Sequence, residues 1–492
     1  MEYAARDRRI RLVFRDQNGH ISAATNSALA IARGEFIALM DHDDLIARSA
    51  LYELVRKLNE DPSLDLIYSD EDKVDTGGTR SEPFFKPDWS PDYLESCMYT
   101  AHLALYRKSI VDEIGGFRSE CNGAQDYDFV LRFTERTDRI GHVPKVLYHW
   151  RAVPGSTAAS MSEKSYVVAV GIRALDERLA RTGRAGKAAE SEYAGCFDVR
   201  WRLSRDPLVS IVIPTAGRNR VVRGATVNLV ARCVQKIREA STYRNYEIVI
   251  VDNGDLRAAV REVLERLQCR FVTYREPEFN ISKKINLGAQ ESKGEYLILL
   301  NDDIEVISPD WIEALLEQGM KPGVGVVGAK LLYENDEIQH VGVAHHYTGL
   351  PDHVRKHYPR NDPGYYFSTA SVKNYLAVTG ACMLTSAAAF RSVGGYDEAF
   401  KINYSDIDYC LKLHARGLRA IYTPHAELYH YESSSRRVGV AQEEIDLYLR
   451  RWSAVTLKDP YYNGDYLRSS PPDFALELHA HRRNRRHVPA WR

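Results

Sequence analysis

The chain has 492 residues, of which 44% are hydrophobic and 27% charged, and its formal net charge is −1. That is the composition of an ordinary globular protein, and the charge balance gives no support to a nucleic-acid partner. Seven cysteines, an odd number without a CxxC pair, read as reduced thiols rather than a disulfide framework, so a cytoplasmic location is expected.

In chain order, the opening MEYAARDRRIRLVFRD is charged and lacks the apolar segment of a secretory signal. Residues 10–14 read as a strand. Residues 21–46, ISAATNSALAIARGEFIALMDHDDLI, read as an amphipathic helix, a Gly-Glu turn, an apolar strand at 36–40 and an acid cluster. Asp70-Glu71-Asp72 reads as a solvated loop. Residues 158–183 have helical periodicity, and 184–207 read as a connector. From 208 the pattern is a β-branched strand ending at Pro214, a helical stretch to about Glu239, a strand at 246–252 broken by Asn253-Gly254, a helix at 256–267 and a strand at 270–274. A helix at 281–292 and a strand at 295–300 follow. The apolar stretch 375–390 carries Thr379, Thr385 and Ser386 and reads as buried strand and helix rather than as a membrane span. A helix at 438–457 precedes a loop-like end whose last stretch, His481 to His487, is basic. That tail is either a solvated terminus or a contact for anionic lipid.

The chain repeats itself. Residues 281–306, ISKKINLGAQESKGEYLILLNDDIEV, align with 21–46 without a gap at an offset of 260. Asp126 and Asp406, and then His149 and His430, keep nearly that offset. This is a duplicated domain rather than a short solenoid repeat. Strand–helix alternation in the second copy implies an α/β fold with a parallel sheet, whose ligands sit beyond the carboxyl ends of the strands. The counterparts of the strand at 209 and of the strand at 246–252 would fall before residue 1, so the first copy is expected to lack its opening strands.

Carboxylates directly after a strand, as in Asp41-His42-Asp43-Asp44 and Asn301-Asp302-Asp303, suit either a capped turn or a hard divalent cation. Their recurrence in both copies favours function. Asp126 and Asp406 begin helices, where an acid serves either as a cap or as a general base. His149 and His430 end strands, as structural residues or metal ligands. Five histidines lie between His340 and His357. His353 and His357 are four apart, but the acid of an HExxH motif is missing, which argues against a separate zinc site.

These motifs resemble family 2 glycosyltransferases with the GT-A fold, in particular tandem two-domain bacterial proteins of O-antigen or rhamnan-type surface-polysaccharide synthesis. The resemblance rests on Val209-Ser-Ile-Val-Ile-Pro214, Ile250-Val-Asp252-Asn253-Gly254, Leu299-Leu-Asn-Asp-Asp303, Gly380-Ala-Cys-Met-Leu384, Ser405-Asp-Ile-Asp408 and Asp459-Pro-Tyr-Tyr462. In the first copy it rests on Tyr68-Ser-Asp-Glu-Asp-Lys73, Gly123-Ala-Gln-Asp-Tyr-Asp128 and Tyr148-His-Trp-Arg151. It implies two tandem Rossmann-like domains, at 1–185 and 208–435, joined by a linker at 186–207 and followed by a helix and tail at 436–492. It implies that Pro214, Asp252, Asn301 and Asp302 bind the nucleotide, that Asp303 and His430 hold Mg²⁺ or Mn²⁺, and that Asp406 is the catalytic base. In the first copy Asp41 matches the nucleotide role, Asp43 and His149 the metal role, and Asp126 the base. The implied reaction moves a sugar, with inversion, from a UDP-, dTDP- or GDP-linked donor to a growing glycan or lipid-linked acceptor. Peripheral contact with the inner membrane is implied and a nucleic-acid partner is not. An alternative reading makes the first domain, or the whole chain, a non-catalytic glycan- or nucleotide-binding module. Two departures from the family pattern stand out: Asn301 where many relatives have Asp, and Ser405 where Glu is usual.

Overall fold

The computed structural model describes residues 2–152, 165–432, 440–464 and 467. The chain divides into two compact units, 1–202 and 203–492. The basic tail and residues 158–164 lie outside the described residues.

The first unit contains a mixed sheet of β1 (Phe36–Ala38), β2 (Leu45–Ile46), β3 (Leu66–Val74), β4 (Arg80–Phe84), β5 (Ala104–Arg107) and β6 (Ile140–Arg151). Its order is β1-β5-β3-β6-β2, with β4 beside β3. A hairpin, β7 (Gly186–Glu190) and β8 (Phe197–Trp201), lies within the stretch read as a connector, and the helix Ser165–Arg181 precedes it.

The second unit opens with β9 (Val209–Pro214), the hairpin β10 (Asn219–Val222) and β11 (Ala225–Asn228), β12 (Tyr246–Asp252) and β13 (Cys269–Thr273). It continues with β14 (Tyr296–Leu300), β15 (Ile304–Val306), β16 (Val324–Leu332), β17 (Ile338–His340), β18 (Val343–His345), β19 (Pro351–His353), β20 (Lys373–Tyr375), β21 (Cys382–Ser386) and β22 (Arg419–His430). The main sheet runs β13-β12-β9-β14-β21-β16-β22-β15. Its first four strands are parallel, and beyond β14 the directions are mixed. The core consists of the apolar runs of β9, β12, β14 and β21 packed against the helices Leu229–Ala240 and Trp311–Gly319.

The duplication is visible strand by strand. The order β1-β5-β3-β6-β2 reproduces β14-β21-β16-β22-β15, and each pair keeps the same relative direction. Among the described residues the first unit has no counterpart of β9, β12 and β13. This explains why residues 10–14 are exposed coil and not the expected strand. Their match, β13, pairs in the sheet with β12 alone, and among the described residues the first unit has no such partner.

Two further expectations are corrected. Asp70, Glu71 and Asp72 are buried on β3 rather than in a solvated loop. They are tolerated there because each carboxylate is paired. Asp70 accepts from the Lys86 backbone N–H and faces His142 Nε2, both at 2.9 Å. Glu71 accepts from the buried Lys86 ammonium at 3.0 Å, and Asp72 lies 2.6 Å from His149 Nδ1. Before the helix Leu229–Ala240, the chain forms the β10/β11 hairpin instead of continuous helix. Arg223 and Gly224 both have positive φ, 48° and 81°. That pair is what a two-residue hairpin turn requires, and β-branched residues flank it.

Candidate active site

The parallel strands of the second unit deliver their acids to one edge. Asp252 ends β12 and is fully buried, with Oδ1 accepting the Gly254 N–H at 3.1 Å. Pro214 ends β9 beside it in register with Val251. The next residue, Thr215, donates from Oγ1 to Asp302 Oδ2 at 2.5 Å. The adjacent acids thus diverge: Asp302 turns towards β9 and β12, and Asp303 towards β22.

Lys284 completes the first group, and sequence reasoning missed it. Its buried ammonium donates to the Thr215 carbonyl at 2.9 Å. Burial lowers its pKa, opposed by Asp302, Asp252 and Asp255. The available signal was a lysine on the buried face of the helix Ile281–Glu291, beside Ile285 and Gly288. The offset of 260 places Ala24 there in the first unit.

Burial, and then Asp303, raise the Asp302 carboxyl to a pKa of about 6, against the pull of Thr215, Lys284 and His430. Between roughly pH 4 and 6 the folded protein therefore keeps a proton that the unfolded chain has shed, and folding stability from this group falls as pH rises through that window. Asp302→Asn is expected to stabilise the protein by on the order of 2–3 kcal/mol above pH 7 and by little below pH 4. Thermal melts of both proteins across pH 4–8 check this; a constant offset at every pH would refute it.

The second group surrounds His430, which opposes Ile304 across β15/β22. Gln339 Oε1 lies 2.5 Å from His430 Nδ1, and the Gln339 amide nitrogen faces the His430 carbonyl at 3.4 Å. Nδ1 therefore carries the proton and Nε2 presents its lone pair. That nitrogen is 3.1 Å from Asn301 Nδ2 and 3.1 Å from Asp303 Oδ1. The Asn301 amide donates to that lone pair, and the Asp303 carboxylate faces the same nitrogen. A neutral imidazole oriented by a carbonyl oxygen is also the usual state of a metal-bound histidine. Asp303 and His430 are the residues that would hold a hard divalent cation, whose chemistry there would be to bind phosphate oxygens. Among the described residues no third His, Cys, Asp or Glu joins such a group.

The third group is Asp406, at the start of the helix Ser405–His414. Its Oδ2 accepts the Gly380 N–H at 2.8 Å and the Thr379 hydroxyl at 3.4 Å, and its Oδ1 accepts the Ile407 N–H at 3.0 Å. A carboxylate held at both oxygens cannot swing away from the site. Position 380 has no room for a side chain: a Cβ would lie 3.1 Å from the Asp406 Cβ and 3.0 Å from the Tyr396 hydroxyl. Gly380→Ala is expected to displace the carboxylate by a few tenths of an ångström and cut turnover about 10- to 100-fold. Its melting temperature should stay close to the wild-type value. Unchanged kcat in a folded variant would contradict this.

The first unit assembles its matching residues differently. β1/β5 and β14/β21 pair in equivalent register, which places Ala101 where the second unit has Gly380. Asp126 accepts the Tyr127 N–H at 2.9 Å but has no hydrogen bond to the Ala101 amide among the described residues. Leu45, not Asp44, opposes His149, whereas Ile304 opposes His430. The acid directly before the paired strand is therefore Asp44 in one unit and Asp303 in the other, one residue away from the gapless alignment. Asp44 is buried and engaged by the Tyr148 hydroxyl and by the Arg151 N–H at 2.7 Å. Asp43 is exposed and makes no ion pair with His149 among the described residues. His149 is instead paired with Asp72. Burial raises the pKa of Asp41, with Asp44, Asp43 and Asp126 adding to the shift and His102 opposing it.

The histidine-rich segment holds no metal cluster among the described residues. His353 ends a strand and His357 lies in a turn at φ 68°, so their spacing is not helical. The seven cysteines are free thiols. No helix among the described residues is long and apolar enough to cross a membrane.

A model of glycosyl transferase family 2 matches residues 1–115 and 210–393. An uncharacterized protein of Sinorhizobium fredii is 41% identical over 492 residues, covering 95% of this chain and 53% of its own. The O-antigen biosynthesis protein RfbC of Myxococcus xanthus is 36% identical over 487 residues, covering 97% of this chain and 37% of its own. The chain thus spans about half the length of the first and just over a third of the second. Among solved structures, GalNAc-T7 with UDP, GalNAc and Mn²⁺ matches at 16% identity and a TM-score of 0.40, over 57% of this chain and 59% of that one. With a family model matched in both units, over more than half its length, the chain belongs to glycosyl transferase family 2.

Proposed function

We propose that the second unit transfers a sugar, with inversion, from a nucleoside-diphosphate sugar to a hydroxyl of a growing bacterial surface polysaccharide. The observation that carries this reading is the convergence of three groups on one sheet edge: Asp252–Lys284–Asp302, Asp303–His430, and Asp406 clasped by Gly380 and Thr379. Asp252 and Asp302 bind the nucleoside, and the Lys284 ammonium balances their charge. Asp303 and His430 would hold Mg²⁺ or Mn²⁺, which when bound neutralises the leaving diphosphate. Asp406 takes the proton from the acceptor hydroxyl. The oxygen then attacks the anomeric carbon opposite the diphosphate, the bond to the diphosphate oxygen breaks, and the anomeric configuration inverts. The chain works at the cytoplasmic side, where nucleotide sugars are made, with its acceptor held as a glycan or on a lipid carrier.

A second reading concerns the first unit alone: it binds a glycan or nucleotide without turning it over. The internal engagement of Asp44 and His149 favours it. The test is nucleotide release from UDP-, dTDP- and GDP-sugars by the full chain with and without Mn²⁺. Metal-dependent turnover of one donor is the expected result, and no turnover by folded protein would sink the transferase reading.

A further inference from the structure

The second unit carries a pair of histidines, one buried and one half-buried, that neither the metal pair nor the base uses. His340 ends β17 and is fully buried; His353 ends β19. Their Nδ1 atoms lie 2.9 Å apart, and the rings cross at 84°. Two imidazoles sharing one contact hold a single proton between them, so the question is which ring supplies it.

The backbone answers it. The Thr379 N–H points at His340 Nε2 at 3.4 Å. That nitrogen must accept, so His340 carries its proton on Nδ1 and donates it to His353 Nδ1. His353 is then obliged to carry its own proton on Nε2. Burial holds both rings below the ordinary histidine value, which keeps each neutral at neutral pH. No described residue hydrogen-bonds to His353 Nε2. The relay therefore ends in a fixed N–H donor that the protein itself does not use.

The relay also stands beside the base. Thr379, whose amide orients His340, donates its hydroxyl to Asp406 Oδ2, and the Asp406 charge acts on His353. Asp252, Lys284 and Asp302 belong to a different stretch of the edge, at β9 and β12.

The hairpin that carries His353 is pinned at several points. Val343 N–H bonds the Ala377 carbonyl at 3.1 Å, and Val354 N–H bonds the Gly342 carbonyl at 3.0 Å. His345, on the partner strand, is buried and fixed by Asp459 at 2.9 Å and the Tyr448 hydroxyl at 2.7 Å. Gly342, at φ 117°, lets the Tyr375 ring pack directly on the backbone. A donor held on a rigid element is what precise recognition of a substrate group needs. The first unit has no β18/β19 counterpart among its described residues.

We propose that His353 Nε2–H is an acceptor-recognition donor, bonding a sugar hydroxyl next to the one that Asp406 deprotonates, and that His340 is its positioning residue. This rests on the second unit being the transferase. The ligand class is a hexopyranose with adjacent free hydroxyls, since a neutral N–H donor beside a carboxylate acceptor matches a vicinal diol.

Two measurements test it. Selective ¹⁵N-histidine labelling of the full chain reads ring tautomers directly. His340 is expected in the Nδ1–H form and His353 in the Nε2–H form, each assigned by the loss of its signals in His340→Asn and His353→Gln. The reverse assignment would overturn the proposal without any activity being measured. The second measurement uses whichever donor the wild type turns over, with a panel of methyl hexopyranosides as acceptor probes. His353→Ala is expected to raise the acceptor KM about tenfold, the value of one hydrogen bond, at an unchanged donor KM. His353→Gln, which keeps an N–H at the same reach, should recover most of the loss. Unchanged acceptor KM in His353→Ala beside an active wild type would sink this proposal alone. A wild type inactive with every donor would sink the transferase reading and this proposal with it.

Discussion

Asp303→Ala is expected to lower sugar transfer by about 10³-fold, because Asp303 would hold the divalent cation that neutralises the leaving diphosphate. The side chain is buried beside His430 Nε2, 3.1 Å away, with the imidazole held by Gln339. Removing it takes away the anionic partner of His430 at the proposed cation site, so the ion that would neutralise the diphosphate would be held less tightly. The metal requirement should change in step, with the Mn²⁺ concentration for half-maximal rate rising steeply. Asp43→Ala, in the first unit, should leave the rate within about twofold, since that side chain is exposed and does not pair with His149. Steady-state nucleotide release for the two variants, with circular dichroism to verify folding, decides the matter. An active Asp303→Ala beside an inactive Asp43→Ala would move the active site to the first unit.

Asp406→Asn is the second large effect. The amide oxygen can still accept from Gly380 or from Ile407, though not from both because they bond different carboxylate oxygens, and the fold should survive the loss of one such bond. An amide cannot accept the acceptor proton, so kcat is expected to fall about 10²- to 10⁴-fold. The donor KM should remain near the wild-type value, because Asp406 belongs to the Thr379–Gly380 turn rather than to the Asp252–Lys284–Asp302 group. A large rise in donor KM with little change in kcat would instead assign Asp406 to donor binding.

Much of this arrangement was legible in the residues. Strands such as 209–214 and 296–300 are short, β-branched or leucine-rich runs bounded by turn residues, and local patterning suffices to find them. Acids placed directly after such strands fall at the carboxyl edge of a parallel sheet whatever the loop details, so Asp252, Asp302 and Asp303 could be put in one crevice in advance. What failed were readings that depend on a partner far along the chain. Residues 10–14 have strand composition but no neighbour to pair with. Asp70, Glu71 and Asp72 look solvated until Lys86, His142 and His149 are brought to them by β3/β6 pairing.

The amino-acid sequence by itself determined the duplication, the α/β class and the identity of the acids, because these follow from local periodicity and from a constant offset. Only the tertiary structure decided which copy has a joined site. A one-residue slip of β2 against β6 engages Asp44 with Tyr148 and Arg151, whereas Asp303 meets His430. Strand register is set by the packing of whole faces and by turn geometry, and a single residue more in a loop changes which side chain faces the site without disturbing the pattern of the strands. The same holds for Lys284, Gly380 and the His340–His353 pair: the sequence shows a lysine, a motif glycine and a cluster of histidines, but their partners are backbone groups that sequence distance hides.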